Sequence, residues 1–275
     1  MEFQLRYITP DIKLSSYEDR LFKTEVLFEH HMLIWFISGE TRIIRPEATY
    51  VFGPGDVFLI PRNQPVTVIN YPKDGLPHRS VVMHLTESRL RAFYAGMDIK
   101  PVLRVPPPEI RRFGRHPLLE GCLASLIPYF EVPGPFPENI ASLKISEAIS
   151  ILRVADPGID EVLTNFSEPG KIDLAAFMEK NFMFNMPMEK FGYLTGRSLS
   201  TFNRDFRRQF GEAPGRWLMR KRLELAHYQL RELKKRPVDI YLEVGFEDLS
   251  HFSYAFKKQF GYPPAALLVG VKSRE

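Results

Sequence analysis

The sequence reads as an α+β protein of two domains, a strand-rich front half and an all-helical back half, and three observations carry that reading. Short apolar runs punctuated by Gly and Pro fill residues 24–85. Near the C-terminus a sixteen-residue pattern with helical spacing occurs twice, its second copy fifty positions after the first. The charge divides at the same place. Residues 168–275 hold 19 Lys/Arg against 13 Asp/Glu, whereas residues 1–167 hold 18 against 20.

In the front half, residues 24–28, 32–37, 41–45, 49–52, 57–60, 66–71 and 80–85 read as strands. Ser38-Gly39-Glu40, Gly53-Pro54-Gly55-Asp56, Pro61, Pro65 and Pro72 separate them. Many short strands with such turns imply a small barrel or sandwich. A helical pattern follows at 87–94, and another at 118–127 lies between the breaks at Pro106-Pro107-Pro108 and Val132-Pro133-Gly134-Pro135-Phe136-Pro137. Next, Ile140, Leu143, Ile145, Ala148, Ile149 and Leu152 make a helix that is apolar over more than one stripe. Such breadth implies burial against the β-domain or a second subunit, and Leu143 and Ile149 are expected in a self-contact of a homodimer. Glu168-Pro169-Gly170 is the expected joint. The boundaries are therefore 1–105 for the β-domain, 106–167 for a helical linker and dimerisation region, and 168–275 for the helical domain.

Composition narrows the function classes. Hydrophobic content of 44% and charged content of 25% are ordinary for a globular protein. The single Cys122 excludes an internal disulfide and a thiolate metal cage, which fits a reducing, cytoplasmic setting. The apolar run 32–37 is far too short to span a bilayer, so no membrane partner is expected. There is no Gly-x-Ser-x-Gly elbow and no phosphate loop, and no cofactor is implied.

The repeat carries the chemistry. Leu199-Ser200-Thr201-Phe202-Asn203-Arg204-Asp205-Phe206-Arg207-Arg208-Gln209-Phe210-Gly211 is echoed by Leu249-Ser250-His251-Phe252-Ser253-Tyr254-Ala255-Phe256-Lys257-Lys258-Gln259-Phe260-Gly261. In both copies the apolar positions step by three, four and four, one stripe of an α-helix, and Gly ends the helix before a Pro. Ser198 is placed to cap the first copy. A helix at about 188–194, with small Gly192 near its middle, precedes it, and residues 237–243 precede the second copy. Helix, glycine-containing turn, helix is the helix-turn-helix arrangement, whose second member lies in the major groove of double-stranded DNA. Ser200, Thr201, Asn203 and Arg204 face outward in the first copy, and Ser250, His251, Ser253 and Tyr254 in the second. Asn can pair bidentately with adenine and Arg with guanine. Arg207, Arg208, Lys257 and Lys258 lie farther along, where phosphate neutralisation is expected. A core of phenylalanines explains the apolar half of the repeat, but not the recurring Ser and cationic pair. Between the copies Met219, Leu223, Ala226, Leu230 and Leu233 mark a single amphipathic helix able to fix their separation.

Residues 171–268 resemble the DNA-binding domain of the AraC/XylS family of bacterial transcription regulators. The resemblance rests on Pro214-Gly215-Arg216-Trp217-Leu218 with Arg222-Leu223 and Ala226. More specific are Val244-Gly245-Phe246-Glu247-Asp248, Ser250-His251-Phe252 and Phe256-Lys257-Lys258-Gln259-Phe260-Gly261. It implies seven helices, two helix-turn-helix units and activation through RNA polymerase, with base-facing positions at Ser200, Asn203, Arg204, Ser250, His251 and Tyr254. Two positions depart from the family pattern. Tyr241 follows Ile240 where a small residue is usual, and Leu267-Leu268 replaces Tyr-Arg.

The same resemblance implies a cupin-like β-barrel as the front, sensor domain, and Pro54-Gly55-Asp56-Val57-Phe58-Leu59-Ile60-Pro61 looks like a cupin strand pair. Trp35, Tyr50 and Phe58 are candidate lining for a small-molecule effector pocket, and a protein effector is equally open. Metal-cupin chemistry needs converging imidazoles and a carboxylate. His30 and His31 are adjacent, so they point to opposite faces of a strand, and Val66 follows Pro65 where a ligand His belongs. No metal is expected. Two other functions remain open at this level: a metal-cupin enzyme using His30, His78 or His84, and a helical adaptor docking an acidic protein.

Overall fold

The computed structural model describes residues 3–17, 22–97, 109–132 and 136–268. The chain divides into two compact units, residues 1–43 with 49–168 and residues 169–275 with the short segment 44–48. The proline run at 106–108, the domain boundary placed beside it and the Pro133-Gly134-Pro135 break lie outside the described residues.

The first unit contains β1 (Phe3–Thr9), β2 (Ile12–Tyr17), β3 (Phe22–Leu27), β4 (His31–Ser38), β5 (Glu40–Ile44), β6 (Thr49–Phe52), β7 (Val57–Ile60), β8 (Pro65–Tyr71), β9 (His78–Leu85) and β10 (Arg111–Gly114). They form a six-stranded sheet ordered β1-β2-β9-β4-β7-β10 and a four-stranded sheet ordered β3-β8-β5-β6. The expected barrel is thus realised as two facing sheets rather than one closed ring. β4 shows why. It pairs antiparallel with β7 and β9, and its residues are apolar almost without interruption, the pattern of a strand covered on both faces. Met32, Ile34 and Phe36 enter the core between the sheets, with Ile43, Phe52, Phe58 and Val66. Leu33 and Trp35 point the other way, into a second core closed by helices.

Those helices are α1 (Glu87–Tyr94), α2 (Pro117–Ala124), α3 (Glu138–Ala155) and α4 (Ile159–Leu163). α3 packs through Ala141, Ile145, Ala148, Ile149 and Leu152. Arg89 on α1 fastens the layer, donating to Asp11 Oδ2 (2.8 Å) in the β1–β2 turn and to Ser142 Oγ (2.8 Å) on α3. The self-contact expected of Ile149 is corrected here. Six residues separate it from Leu143, which puts the two about 120° apart round the helix. Ile149 is fully buried within its own unit, while Leu143 is 67% exposed.

The second unit is helical: α5 (Leu174–Asn181), α6 (Met188–Leu194), α7 (Leu199–Phe210), α8 (Pro214–Arg231), α9 (Pro237–Ile240), α10 (Leu249–Phe260) and a closing 3₁₀ turn, Pro264–Leu267. It holds two cores and one helix serves both. Trp217 and Leu218, from the first part of α8, join Leu174, Met178, Phe191, Phe202 and Phe206. Leu223, Ala226 and Leu230, farther along α8, join Ile240, Val244, Phe246, Phe252 and Phe256.

Candidate nucleic-acid interface

The two repeat helices are built alike. Ser198 Oγ accepts from Thr201 N–H (3.4 Å) to cap α7, and Asp248 Oδ1 accepts from His251 N–H (2.7 Å) to cap α10. Each ends at a glycine in the left-handed region, Gly211 (φ 72°) and Gly261 (φ 84°), whose N–H closes the last turn. Phe202 and Phe206 are buried in α7, and Phe252 and Phe256 in α10.

The opposite faces are open. Ser200, Arg204, Arg207 and Arg208 are exposed in α7, with Thr201 and Asn203 half-buried. In α10, Ser250, His251, Tyr254, Lys257 and Lys258 are exposed. All eleven side chains assigned DNA contacts from the sequence are therefore exposed or half-buried, off the buried phenylalanine stripe. Thr201 has a local engagement as well, since Ser198 Oγ donates to its hydroxyl (3.0 Å). Cationic pairs in the last turn also suit the negative end of the helix dipole, so their placement stabilises the helices with or without DNA.

Close backbone approach sets the helix-turn-helix geometry. A Cβ on Gly192 would sit 2.9 Å from the Arg197 carbonyl, so only glycine lets α6 cross the turn leading into α7. The second helix-turn-helix has a counterpart at Gly245 (φ 90°), where a Cβ would overlap the Met183 carbonyl and sit 2.8 Å from Arg222 Nε.

Arg222, buried in the middle of α8, is a side chain that the sequence marked only as part of the family pattern, with no role given to it. Its Nε donates to the Phe182 carbonyl (2.9 Å) and its Nη2 to the Phe184 carbonyl (2.6 Å), both in the segment between α5 and α6. Its Nη1 reaches Asn185 Oδ1 (3.2 Å) and the Gly245 carbonyl (3.4 Å) in the turn before α10. Asn185 Nδ2 also donates to Glu247 Oε1 (2.7 Å). One guanidinium therefore joins the first helix-turn-helix to the second. The signal was available, because Arg222 shares an α8 stripe with Leu218 and Ala226. The two departures from the family pattern are absorbed by packing, as Tyr241 and Leu267 both lie partly buried against the second core.

Sequence comparison with known proteins points to the same kind of protein. The Helix-turn-helix domain family matches residues 194–268, and the ExsA N-terminal regulatory domain family matches residues 31–153. The HTH-type transcriptional regulator ExsA of Pseudomonas aeruginosa is 26% identical over 258 residues, covering 92% of this chain and 88% of that one. The virulence regulon transcriptional activator VirF of Yersinia enterocolitica is 28% identical over 161 residues, 58% of this chain and 59% of its own. The HTH-type transcriptional activator RhaS of Klebsiella pneumoniae is 33% identical over 97 residues, 35% of each chain. A crystal structure of ToxT from Vibrio cholerae aligns over 95% of this chain and 98% of that one, with 10% identity and a TM-score of 0.45.

The chain belongs to the AraC/XylS family. As an AraC/XylS regulator it is a DNA-binding transcription factor, and the metal-cupin enzyme and the helical adaptor give way to that function.

In the first unit of this AraC/XylS protein the candidate residues do not converge. Trp35 is buried in the helix-side core, whereas Phe58 is buried and Tyr50 half-buried at the core between the sheets. The expectation that these three line one pocket is therefore corrected: alternation along paired β4 and β7 puts Trp35 and Phe58 on opposite faces. The histidines are scattered too. His31 has the strand parity of Leu33 and Trp35. His78 and His84 have that of Val82, but lie six residues, about 20 Å, apart along β9. Burial, with the nearby charges of Arg62 and His30, pushes His31 down to about 3. Its Nδ1 accepts the Arg62 backbone N–H (3.2 Å). Burial likewise lowers His78 to about 4, partly offset by a backbone hydrogen bond. Thr41 Oγ1 donates to Asn70 Oδ1 (2.7 Å), so His78 Nε2 (2.7 Å from that hydroxyl) is the donor to it.

Two outcomes follow for stability. Replacing Arg222 with Met strands buried carbonyls at 182, 184 and 245, so urea unfolding of the protein should show a loss of roughly 2–5 kcal/mol in the second unit. Unchanged stability would mean the guanidinium is not a strut. His31 and His78 have folded values below the ordinary 6.5, so the unfolded chain takes up protons first. Their contribution is intact above about pH 6.5 and drains away as pH falls toward 4 and 3, by on the order of 3–5 kcal/mol for each histidine. A first-unit midpoint flat from pH 7 to pH 4 in urea titrations would contradict the buried, neutral state.

Proposed function

We propose that this regulator inserts α7 and α10 into two successive major grooves on one face of a duplex and activates transcription there. The matched outward register of the two helices carries the reading: Ser200 with Ser250, Thr201 with His251, Arg204 with Tyr254, and Arg207-Arg208 with Lys257-Lys258. Ser200, Thr201, Asn203, Arg204, Ser250, His251 and Tyr254 read base edges, and the two cationic pairs neutralise phosphates. The eighteen residues of α8 span about 27 Å, commensurate with two grooves one helical turn apart. The names of VirF and RhaS as activators support the sign of regulation and a contact with RNA polymerase. The cytoplasm is the compartment that suits these partners, and no described helix is long and apolar enough to cross a membrane.

The first unit receives the signal, from a small molecule or a protein, a role supported by its match to a regulatory domain. The homodimer uses the outer stripe of α3, where Leu143 and Val154 are exposed. Ile149 supports that face only from beneath.

Footprinting on the region upstream of the gene tests the reading. Arg204→Ala should cost roughly 1–3 kcal/mol and relax preference at one base pair, while Lys257→Ala should weaken all sequences alike and lower the salt slope. Equal binding of wild type and Arg204→Ala to every duplex would remove that helix from base reading. For the dimer, sedimentation of Leu143→Glu should give a folded monomer from a dimeric wild type. Ile149→Ala should instead lower first-unit stability by about 2–5 kcal/mol. A monomeric wild type would end the dimer proposal.

A further inference from the structure

Asp205 is the one acidic residue of α7, a helix with three arginines, and it is buried. Only 5% of it is exposed, and it lies between Arg204 and Arg208, which are 73% and 79% exposed at their side chains. Its Oδ2 accepts from Arg197 Nε at 3.2 Å. Arg197 is fixed in turn, with Nη1 donating to the carbonyls of Thr195 (2.7 Å) and Ile172 (3.0 Å). A chain of contacts thus runs from the backbone before α5, through Arg197 in the helix-turn-helix turn, to a carboxylate on the recognition helix. The other oxygen, Oδ1, is 3.5 Å from Arg204 Nε and 3.6 Å from Arg208 Nη2. Burial works to raise the Asp205 carboxyl, but the Arg197 hydrogen bond and the charges of Arg208, Arg204 and Lys171 outweigh it, so the group is held below its ordinary range.

We propose that Asp205 is a specificity-positioning residue: its carboxylate, locked by Arg197, orients Arg204 toward one base and restrains Arg208. A free arginine on a helix surface spends its conformational freedom when it binds a base. Here the contact to Nε leaves both terminal Nη groups of Arg204 available for the two acceptors on a guanine edge. The same carboxylate offsets part of the positive charge beside the phosphates, so it favours the cognate site over general attraction to DNA. The proposal rests on the reading of Arg204 as a base reader.

Competition binding of the full chain to its footprinted site tests it, against duplexes substituted at each base pair and against random-sequence duplex. Asp205→Asn keeps an acceptor for Arg197 and removes the charge. Discrimination at the base pair assigned to Arg204 should fall about two- to tenfold, the range for losing one side chain's preorganisation, while affinity for random duplex stays equal or rises. A merely structural residue would lower both together, and that result would overturn the proposal. Arg204→Ala separates the two claims. If it leaves base preference intact, the base-reading assignment fails. If it relaxes preference and Asp205→Asn does not, the positioning role alone fails. In an Arg204→Ala background the Asp205→Asn effect on preference should vanish. Should Asp205→Asn unfold, Arg197→Met with Asp205→Leu replaces the buried pair by apolar groups of similar size. That double variant must show the same loss of discrimination, and full discrimination in it would refute the proposal.

Discussion

The DNA-binding unit depends on one buried cation. Its two hydrophobic cores touch different parts of α8, and an amphipathic helix alone leaves each free to roll about that axis. Arg222 removes the freedom by donating to carbonyls on both sides, two before α6 and one before α10. The arrangement is possible only because Gly245 has no side chain, since a Cβ there would overlap Arg222 and the Met183 carbonyl. Stability and function meet at this point. A reader with two recognition helices needs their spacing fixed before it meets the duplex, because motion frozen on binding is subtracted from affinity.

In the first unit the matching constraint is β4, which is covered on both faces. Its even-numbered side chains face the core between the sheets and its odd-numbered ones face the helices, so each residue is assigned by parity alone. This arrangement makes the sheet a shared wall between two cores. Of the aromatic side chains that looked like pocket lining, Trp35 is spent on the helix-side core, and Phe58 stacks with Phe36 and Phe52 at ring separations of 5.4 and 4.0 Å. The signal proposed for this unit would therefore be received on surfaces other than a joint pocket of Trp35, Tyr50 and Phe58.

Periodicity made much of this legible. The helices at 87–94, 188–194 and 199–210 have the limits read from their apolar spacing and caps, and the strands at 49–52 and 57–60 match as well. What escaped notice had weak local signal. β1 and β2 carry many polar residues, and β10 is a short edge strand, Arg-Arg-Phe-Gly, whose partner supplies the order. The 214–231 helix stops before Leu233, whose apolar character had suggested a longer run and which is exposed beyond the last turn. Leu143 and Ile149 looked equivalent because an apolar set covering more than one stripe does not say which stripe the sheet takes. Trp35 and Phe58 are separated by strand pairing, a fact about distant sequence. The buried charges were missed for a different reason. Arg222 and Asp205 sit on apolar stripes, and residue type suggests solvent where a hydrogen-bonding cage permits burial.

That last point separates the two readers from each other. In register, Arg197, Arg204 and Asp205 of the first copy correspond to Glu247, Tyr254 and Ala255 of the second. Both copies keep the phenylalanine stripe, the cap and the terminal glycine, so their folding requirements are the same. Only the first has an internal ion pair running from turn to helix, and only the first presents an arginine at the central outward position. The second presents a phenol and an imidazole, the latter set edge-on to Phe246 with ring centroids 5.6 Å apart. Charged readout with an anchored guanidinium is strong and directional, whereas contacts from Tyr254 and His251 are shorter in reach and more tolerant of the base. The repeat therefore keeps the scaffold and varies the outward chemistry, so that under the proposed readout the first helix discriminates and the second grips more broadly.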